Sequence, residues 1–215
     1  MPPRHKTPEE IEKTRRKILN STLEIIAKEG YASLTMRKIA KCIGMSATSI
    51  YNYFHNKDEV YLAVHTEGYK LLYKETYNAN QLGKNPKESL ENVIRAFVNF
   101  GLNKTYYYEL MFSSHTPKYF NYIGQPYEEI AYNYKAAALK WFDYFTECLS
   151  KCLYSHEKNH EANAKLITIR ILAQLHGVIN LHHNQILIEV HNNPCEVIDS
   201  AVEHVFNEID SHNIY

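Results

Sequence analysis

Apolar residues recur every three to four positions over most of this sequence, which is the spacing of one face of an amphipathic helix. The first such run extends from Ile11 to Ile26 and follows Thr7-Pro8-Glu9-Glu10. A threonine cap, a proline in the first turn and a glutamate three residues after the cap all signal a helix N-terminus. We therefore predict a first helix that begins after Thr7 and ends at Gly30.

Two short helices are predicted next. Thr35 can cap the second helix, and Gly44 can adopt the left-handed conformation that ends it. Ser46 can cap a third helix that carries Ile50 and the pair Tyr53-Phe54. Two short helices joined by the turn Gly44-Met45-Ser46 have the geometry of a helix-turn-helix motif. The predicted buried face of the second helix consists of Met36, Ile39, Ala40 and Ile43.

Longer helices are predicted for the rest of the chain. Asn56 and Glu59 have the spacing of a capping box, which opens a fourth helix that runs towards Ala79. The polar linker 80–85 follows, and residues 113–127 are predicted to be irregular. The other predicted helices are 86–102, 128–153, 163–188 and one that begins at Pro194. The predicted fold class is all-α, with a helix-turn-helix head at residues 1–60 and a larger helical domain at 61–215.

Composition and charge indicate the cellular compartment of the protein and the kind of partner that it binds. Seven glycines and seven prolines leave little material for the tight turns of an all-β fold. The four cysteines have neither metal-site nor CxxC spacing, and the N-terminus carries no signal pattern, so we expect a cytoplasmic protein. The net charge is zero overall, but residues 1–60 carry +4 and the remainder −4. This asymmetry suggests that the N-terminal end meets a polyanion.

The outward face predicted for the third helix suits the major groove of DNA. An asparagine can form two hydrogen bonds with adenine, threonine and serine can reach phosphates or base edges, and a methyl group can touch thymine. An ordinary solvated helix would usually carry lysine, glutamate or glutamine here. Arg37, Lys38 and Lys57 flank this face and suit phosphates, although each alone would be an ordinary exposed charge. The outward residues are Ala47, Thr48, Ser49, Tyr51 and Asn52.

The segments that carry this motif resemble the TetR family of bacterial transcriptional regulators. The resemblance covers about residues 10–65 and rests on Leu34-Thr35-Met36-Arg37-Lys38-Ile39-Ala40, on Gly44-Met45-Ser46 and on the run that starts Ile50-Tyr51-Asn52-Tyr53-Phe54-His55-Asn56-Lys57. It implies an all-α homodimer with a DNA-reading head and a larger effector-binding body, usually acting as a repressor. We predict that its partner is a palindromic operator in double-stranded DNA.

The resemblance also implies which residues contact DNA. Phe54 would belong to the core of the head. Many members carry a larger residue at the position of Asn52, which leaves the base preference open. The DNA-contacting residues implied by matching position are Thr35, Arg37, Thr48, Ser49, Tyr51, Asn52, Tyr53 and Lys57.

The aromatic density of the larger domain points to a small-molecule effector. Residues 97–145 contain 16 aromatic side chains in 49 positions, and tyrosine-rich walls combine apolar area with hydroxyl donors. Most of them would be ordinary core or surface residues. We predict that a largely apolar or aromatic effector contacts Phe97, Phe100, Tyr108, Phe112, Trp141, Phe145 and His176. Leu175-His176-Gly177 is similar to a Trp-His-Gly subgroup of the family, with a leucine in place of the tryptophan.

Two other functions remain open. A metal-responsive regulator is one alternative, because the region near the end of the chain contains His176, His182, His183 and His191. Ligation usually needs a third convergent group, so we predict no metal site. An enzyme that uses the aromatic pocket is the alternative from another class. The sequence shows no nucleophile motif, phosphate-cradling glycine loop or diagnostic carboxylate pair, so we expect neither enzymatic activity nor a cofactor.

The last two long helices carry much apolar surface. The helix 166–188 is apolar on nearly every side, and one chain would not easily cover both helices. We predict a homodimer through the last two helices, with the heads about one DNA turn apart. Seven strongly polar side chains in 171–188 argue against a membrane span. The apolar stripe of the final helix is Val197, Ile198, Ala201, Val202, Val205, Phe206 and Ile209.

Overall fold

The computed structural model describes residues 7–112, 116–153 and 160–211, and every regular element in these ranges is helical. The predicted all-α class is confirmed. No helix in the same ranges is long and apolar enough to cross a membrane. The α-helices are α1 (Pro8–Glu29), α2 (Met36–Cys42), α3 (Ala47–Ile50), α4 (Lys57–Asn80), α5 (Pro86–Asn103), α6 (Thr105–Phe112), α7 (Glu128–Ser150), α8 (His160–His183), α9 (Ile186–Val190) and α10 (Pro194–Ser211). Two 3₁₀ turns lie at Tyr31–Ser33 and Tyr119–Tyr122.

Side-chain caps begin several helices where the sequence predicts them. The Thr7 hydroxyl accepts a hydrogen bond from the Glu10 backbone N–H at 3.2 Å, and the Thr7 backbone N–H donates to the Glu10 carboxylate at 2.8 Å. This reciprocal pair is the predicted capping box. Thr35, Ser46 and Asn85 act as caps in the same way, because the side chain of each accepts a hydrogen bond from the backbone N–H three residues after it.

The start of α4 forms only half of its predicted capping box. The Asn56 side-chain oxygen accepts from the Glu59 backbone N–H at 2.9 Å. The Glu59 carboxylate, however, accepts from the backbone N–H of His55 at 2.6 Å and lies 2.8 Å from the ring Nδ1 of the same residue. The helix still begins as predicted, because one capped N–H is enough to fix its first turn.

The helix-turn-helix segment is confirmed, but α3 is shorter than predicted. Gly44 has a φ of 68°, the left-handed conformation that the turn requires. The helix α3 ends at Ile50, and the backbone N–H groups of Tyr53 and Phe54 both donate to the Ile50 carbonyl, at 3.0 and 3.2 Å. Tyr53 and Phe54 therefore follow the helix in a tight turn that buries both side chains.

The predicted helix 163–188 is interrupted in the structure. The helix α8 ends at His183, and the Asn180 carbonyl accepts from both the backbone N–H of Asn184 at 3.0 Å and the side-chain amide of Asn184 at 2.8 Å. Gln185 has a φ of 61°, and no other non-glycine residue in the described ranges has a positive φ. Apolar spacing continues into α9, so periodicity alone could not reveal the break.

Another correction concerns the segment predicted to be irregular at 113–127. It contains the 3₁₀ turn Tyr119–Tyr122, and α7 begins directly after it at Glu128. Residues 113–115 lie outside the described residues. The turn is too short to produce a helical apolar pattern, since it has little more than one turn of 3₁₀ geometry.

The chain forms two compact units. The described residues of the first unit lie in 7–69 and 106–138, and those of the second lie in 70–105 and 139–211. The first unit therefore contains the helix-turn-helix head together with α6 and the beginning of α7. The domain boundary predicted at residue 60 does not coincide with a boundary of these compact units, and it stays a prediction.

The apolar stripe of α10 is covered within the chain. Val202 is 2% exposed and Val205 is fully buried, and α10 packs on both α8 and α5. Of the two helices that one chain was not expected to cover together, the chain therefore covers the stripe of α10. The outward face of α8 is different, because it keeps large apolar side chains in solvent. These are Leu166 at 62%, Ile169 at 54% and Leu181 at 40% exposure.

Candidate functional site

In the head of the first unit, α3 packs with one side on a small apolar core, and its other side faces solvent. Ile39 of α2 and Ile50 of α3 are fully buried, and Ala40 is 2% exposed. The Met45 backbone N–H donates to the Ala40 carbonyl at 2.9 Å, which closes the turn between the two helices. Because Ile50 points inward, the other residues of α3 face outward.

Seven of the eight predicted DNA contacts reach the surface. The Thr35 hydroxyl caps α2, and the Ser49 hydroxyl lies 2.8 Å from the Ser46 hydroxyl, so short local bonds orient both groups. The seven residues come from the start of α2, from α3 with the turn after it, and from the start of α4. We call this set the α3 surface: Thr35, Arg37, Thr48, Tyr51 and Asn52, which are exposed, and Ser49 and Lys57, which are half-buried.

Tyr53 is the exception among the eight. Its side chain is 9% exposed, next to Phe54, which is 1% exposed and lies in the core as expected. The guanidinium of Arg15 donates to the Tyr53 carbonyl at 2.8 Å and stands 4.2 Å from the centre of the Phe54 ring. Tyr53 thus belongs to the core of the head rather than to the α3 surface, and its contact with DNA stays a prediction.

The sequence reasoning missed the neighbours of Lys57. The Lys57 ammonium lies 4.8 Å from the centre of the Tyr31 ring, and the Tyr31 hydroxyl donates to Asp58 Oδ1 at 2.5 Å. Burial, and then the hydrogen bond to Asp58, raise the pKa of Tyr31 above its usual value. No spacing rule pairs residues so far apart in sequence, so only the fold reveals this contact.

A comparison with known families explains this arrangement. Residues 18–64, which include all of the α3 surface, match the family described as bacterial regulatory proteins, tetR family. This chain carries a TetR-family DNA-binding domain. The TetR-family domain begins within α1, includes α2 and α3, and ends within α4. A comparison with curated proteins found no match.

Similarity to solved structures covers nearly the whole chain, and not only the TetR-family domain. A protein with unknown function from Rhodococcus sp. RHA1 has a TM-score of 0.72 at 18% identity, over 97% of this chain and 98% of that one. The fatty acid degradation regulator FadR from Bacillus halodurans has a TM-score of 0.67 at 15% identity, over 94% and 97%. A TetR family transcription regulator from Marinobacter aquaeolei VT8 has a TM-score of 0.66 at 15% identity, over 94% and 97%. At these identities the likeness shows the fold alone.

The seven residues predicted to bind an effector belong to different units. Tyr108 and Phe112 of α6 lie in the unit that contains the TetR-family domain, with ring centres 4.9 Å apart. The others lie in the second unit. All seven are buried or half-buried. The members in the second unit are Phe97, Phe100, Trp141, Phe145 and His176.

Four of these residues, Phe97, Trp141, Phe145 and His176, form what we call the Trp141 cluster. The Trp141 ring lies 5.3 Å from that of Phe97 and 5.9 Å from that of Phe145, and the His176 ring stands against Phe97 at 5.3 Å. The indole Nε1 of Trp141 is buried and has no hydrogen-bond partner among the described residues. Burial lowers the pKa of His176 to about 4, so its ring is neutral at pH 7.

Two cavities in the second unit are lined by other residues. The larger, of about 470 Å³, lies where α5 begins and where α7 and α10 end, with Leu90, Cys152 and Phe206 in its wall. The smaller, of about 190 Å³, lies between α5 and α10. Neither is lined by any of the seven residues predicted to bind an effector, so that assignment stays a prediction.

The histidines near the C-terminus are not arranged as a metal centre. In the part of the chain that the structure describes, no group of three or more His, Cys, Asp or Glu side chains could hold a metal ion. The ring Nε2 of His183 lies 3.0 Å from the Gly101 carbonyl, and the ring Nδ1 of His191 accepts from the Asn193 backbone N–H at 3.1 Å. One ring nitrogen of each of these two histidines therefore lies at hydrogen-bond distance from a backbone group.

Proposed function

We propose that this protein is a cytoplasmic transcriptional repressor that binds a palindromic operator as a homodimer and is released by a small molecule. The observation that carries the proposal is the α3 surface within the TetR-family domain. Its short polar side chains can approach base edges, and Arg37 and Lys57 add positive charge for the phosphates. The net charge of +4 in residues 1–60 agrees with this partner.

The Trp141 cluster supports the proposed effector class. A buried indole N–H without a partner is costly, and a ligand with an acceptor oxygen would satisfy it. The neutral His176 ring and the two phenylalanine rings favour an uncharged, largely apolar or aromatic compound. Membership of the Trp-His-Gly subgroup remains part of this proposal and identifies no ligand.

Release from DNA requires the effector to discriminate between two states of the protein. It must bind the state that does not fit the operator more tightly than the state that does. A 100-fold difference between these affinities would shift the balance by about 2.7 kcal/mol. Two alternatives remain: the effector could be a metal ion, or the protein could be an enzyme that converts the bound compound. The effector experiment described below can reveal either one.

The outward face of α8 supports the proposed dimer. Leu166, Ile169 and Leu181 are separated by helical spacing, and Ala173 and Gly177 lie exposed between them. Apart from Gly177 itself, its two chain neighbours and the nearby backbone of α8, no atom of the described residues lies within 4 Å of the position that a Cβ on Gly177 would occupy, so a second helix could approach closely there. Pairing of α8 with its copy would bury this face, while α10 would add its polar outward side.

The test of the proposed function measures DNA binding first. Fluorescence anisotropy would compare a labelled fragment from the region upstream of the protein's own gene with a scrambled fragment of the same composition. We expect preferential binding of the upstream fragment and a steep loss of affinity as salt rises. Equal affinity for both fragments would contradict the proposal.

The same preparation then tests the effector. The chain contains one tryptophan, so its intrinsic emission reports directly on the Trp141 cluster. Neutral aromatic and fatty compounds that change this emission should also release the labelled operator. A compound that changes the emission without affecting DNA binding would contradict the proposed response, and conversion of the compound would favour the enzyme. Zn²⁺ that alone released the operator would favour the metal sensor.

A further inference from the structure

Two tyrosine hydroxyls from different elements meet on one carboxylate oxygen at the edge of the α3 surface. Asp58 lies in the first turn of α4, next to Lys57. Its Oδ1 accepts from the Tyr31 hydroxyl at 2.5 Å and from the Tyr122 hydroxyl at 3.1 Å. Hydrogen bonds to a charged acceptor are stronger than neutral ones, so these two donors fix the direction of the carboxylate.

Tyr31 connects this carboxylate to Lys57. Its hydroxyl is held by Asp58, and its ring lies 4.8 Å from the Lys57 ammonium, within the range of a cation–π interaction. The ring of Tyr61 also packs against that of Tyr31, with the ring centres 4.6 Å apart. The lysine is therefore oriented by a ring whose own position depends on the carboxylate.

Tyr122 reaches Asp58 from a segment that is itself firmly held. The Lys118 ammonium donates to the Met111 carbonyl at the end of α6 and to the Thr116 hydroxyl, both at 2.9 Å. The Tyr61 hydroxyl of α4 donates to the Pro117 carbonyl at 2.7 Å. Burial lowers the pKa of Lys118 to about 8, which is still above neutral pH, so the ammonium form that makes these bonds predominates at pH 7.

We infer that Tyr122 is a positioning residue for Lys57, acting through Asp58 and Tyr31. Tyr122 is 6% exposed and does not belong to the α3 surface. The inference rests on the proposed function, because it assumes that Lys57 contacts a DNA phosphate. It assigns to the segment 116–122 a part in DNA binding that lies outside the matched TetR-family residues 18–64.

Electrostatics gives the reason why two donors are needed. A free carboxylate beside Lys57 would attract the lysine ammonium and so compete with a DNA phosphate for it. The two hydroxyls turn the Asp58 charge toward the protein and share it. Without the Tyr122 hydroxyl, the carboxylate is free to move toward solvent, where it weakens the contact between Lys57 and a phosphate.

The experiment removes the single hydroxyl with Tyr122→Phe. We expect operator affinity to fall about three- to tenfold, the size of one lost hydrogen bond, and the slope of log affinity against log salt to flatten by about 1 per head. Tyr119→Phe is the matched control, because Tyr119 lies in the same 3₁₀ turn but its hydroxyl donates to Glu128 at 3.3 Å. We expect the control to bind like the wild type, and a Tyr119→Phe loss equal to that of Tyr122→Phe would overturn the inference.

A double-mutant cycle separates positioning from simple destabilisation. If Tyr122 acts through Lys57, the effect of Tyr122→Phe disappears in the Lys57→Ala background. The inference is overturned if Tyr122→Phe still lowers affinity in the Lys57→Ala background. It is also overturned if Tyr122→Phe lowers affinity in the Asp58→Leu background as much as it does in the wild type. Tyr31→Phe provides a second variant and should reproduce the flattened salt slope.

The outcome also separates this inference from the proposed function. The wild type is measured first, and absence of selective binding would reject the repressor itself. Selective binding by the wild type, combined with unchanged affinity and salt slope in Tyr122→Phe and Tyr31→Phe, would leave the repressor standing and reject the positioning role alone.

Discussion

Individual side chains on the α3 surface should divide into two kinds of DNA contact. Asn52 and Thr48 are exposed on α3 and the turn after it, where base edges would lie, so Asn52→Ala or Thr48→Ala should cost roughly 1–3 kcal/mol on the cognate operator and relax preference at particular base pairs. Arg37→Ala and Lys57→Ala should weaken binding to every sequence and reduce the salt slope by about 1 per head. Anisotropy titrations on cognate and scrambled DNA at several salt concentrations measure both effects. A uniform loss from Asn52→Ala across all sequences would contradict the assignment.

The limits of sequence reasoning are also visible at the residue scale. The resemblance placed Phe54 in the core, where it lies, and it grouped the neighbouring Tyr53, which is 9% exposed, with the DNA-contacting residues. Both are aromatic, and a turn that buries them leaves no periodic signal. Tyr31 and Asp58 were missed for another reason, because a contact between distant positions depends on how the elements pack.

At the scale of elements, α10 provides the clearest prediction. Val202 is 2% exposed on the face that packs within the chain, so Val202→Asp should lower the free energy of unfolding by at least about 3 kcal/mol, since it buries an unpaired charge. Ser200→Asp adds the same charge at an exposed position of α10 and should have little effect. Urea unfolding followed by circular dichroism measures the difference. Similar midpoints for the two variants would show that the stripe is not covered.

Helix starts were easier to predict than helix ends and breaks. A cap at Thr7, Thr35, Ser46 or Asn85 depends on residues only three positions apart, so the sequence displays it directly. The break after α8 coincides with the left-handed conformation of Gln185, which does not disturb the apolar spacing. The candidate effector site was hardest to predict, since core aromatics and pocket aromatics have the same composition.

At the scale of the whole molecule, the exposed face of α8 should control association. Ile169→Asp places a charge on this face, which is 54% exposed at that residue, and should convert the proposed dimer to a folded monomer with weaker operator binding. Leu139→Asp is the matched control, because it adds the same charge at a leucine of α7 that is 48% exposed. Sedimentation velocity at micromolar concentration distinguishes the two. A wild-type monomer, or dissociation by both variants, would reject the α8 interface.

The Tyr61 hydroxyl has a single proton, and the Pro117 carbonyl accepts it, so the fully buried His65 must donate its Nε2 proton to Tyr61 across 2.7 Å. Its Nδ1 then carries a lone pair without a partner among the described residues. Burial, followed by the charge of Lys118, lowers the pKa of His65 well below 6.5. An unfolded chain would protonate this imidazole near pH 6.5, whereas the folded chain would not, so unfolding consumes a proton below that pH. The free energy of unfolding should therefore be smaller at pH 5 than at pH 7, and His65→Gln should reduce that difference in parallel urea titrations.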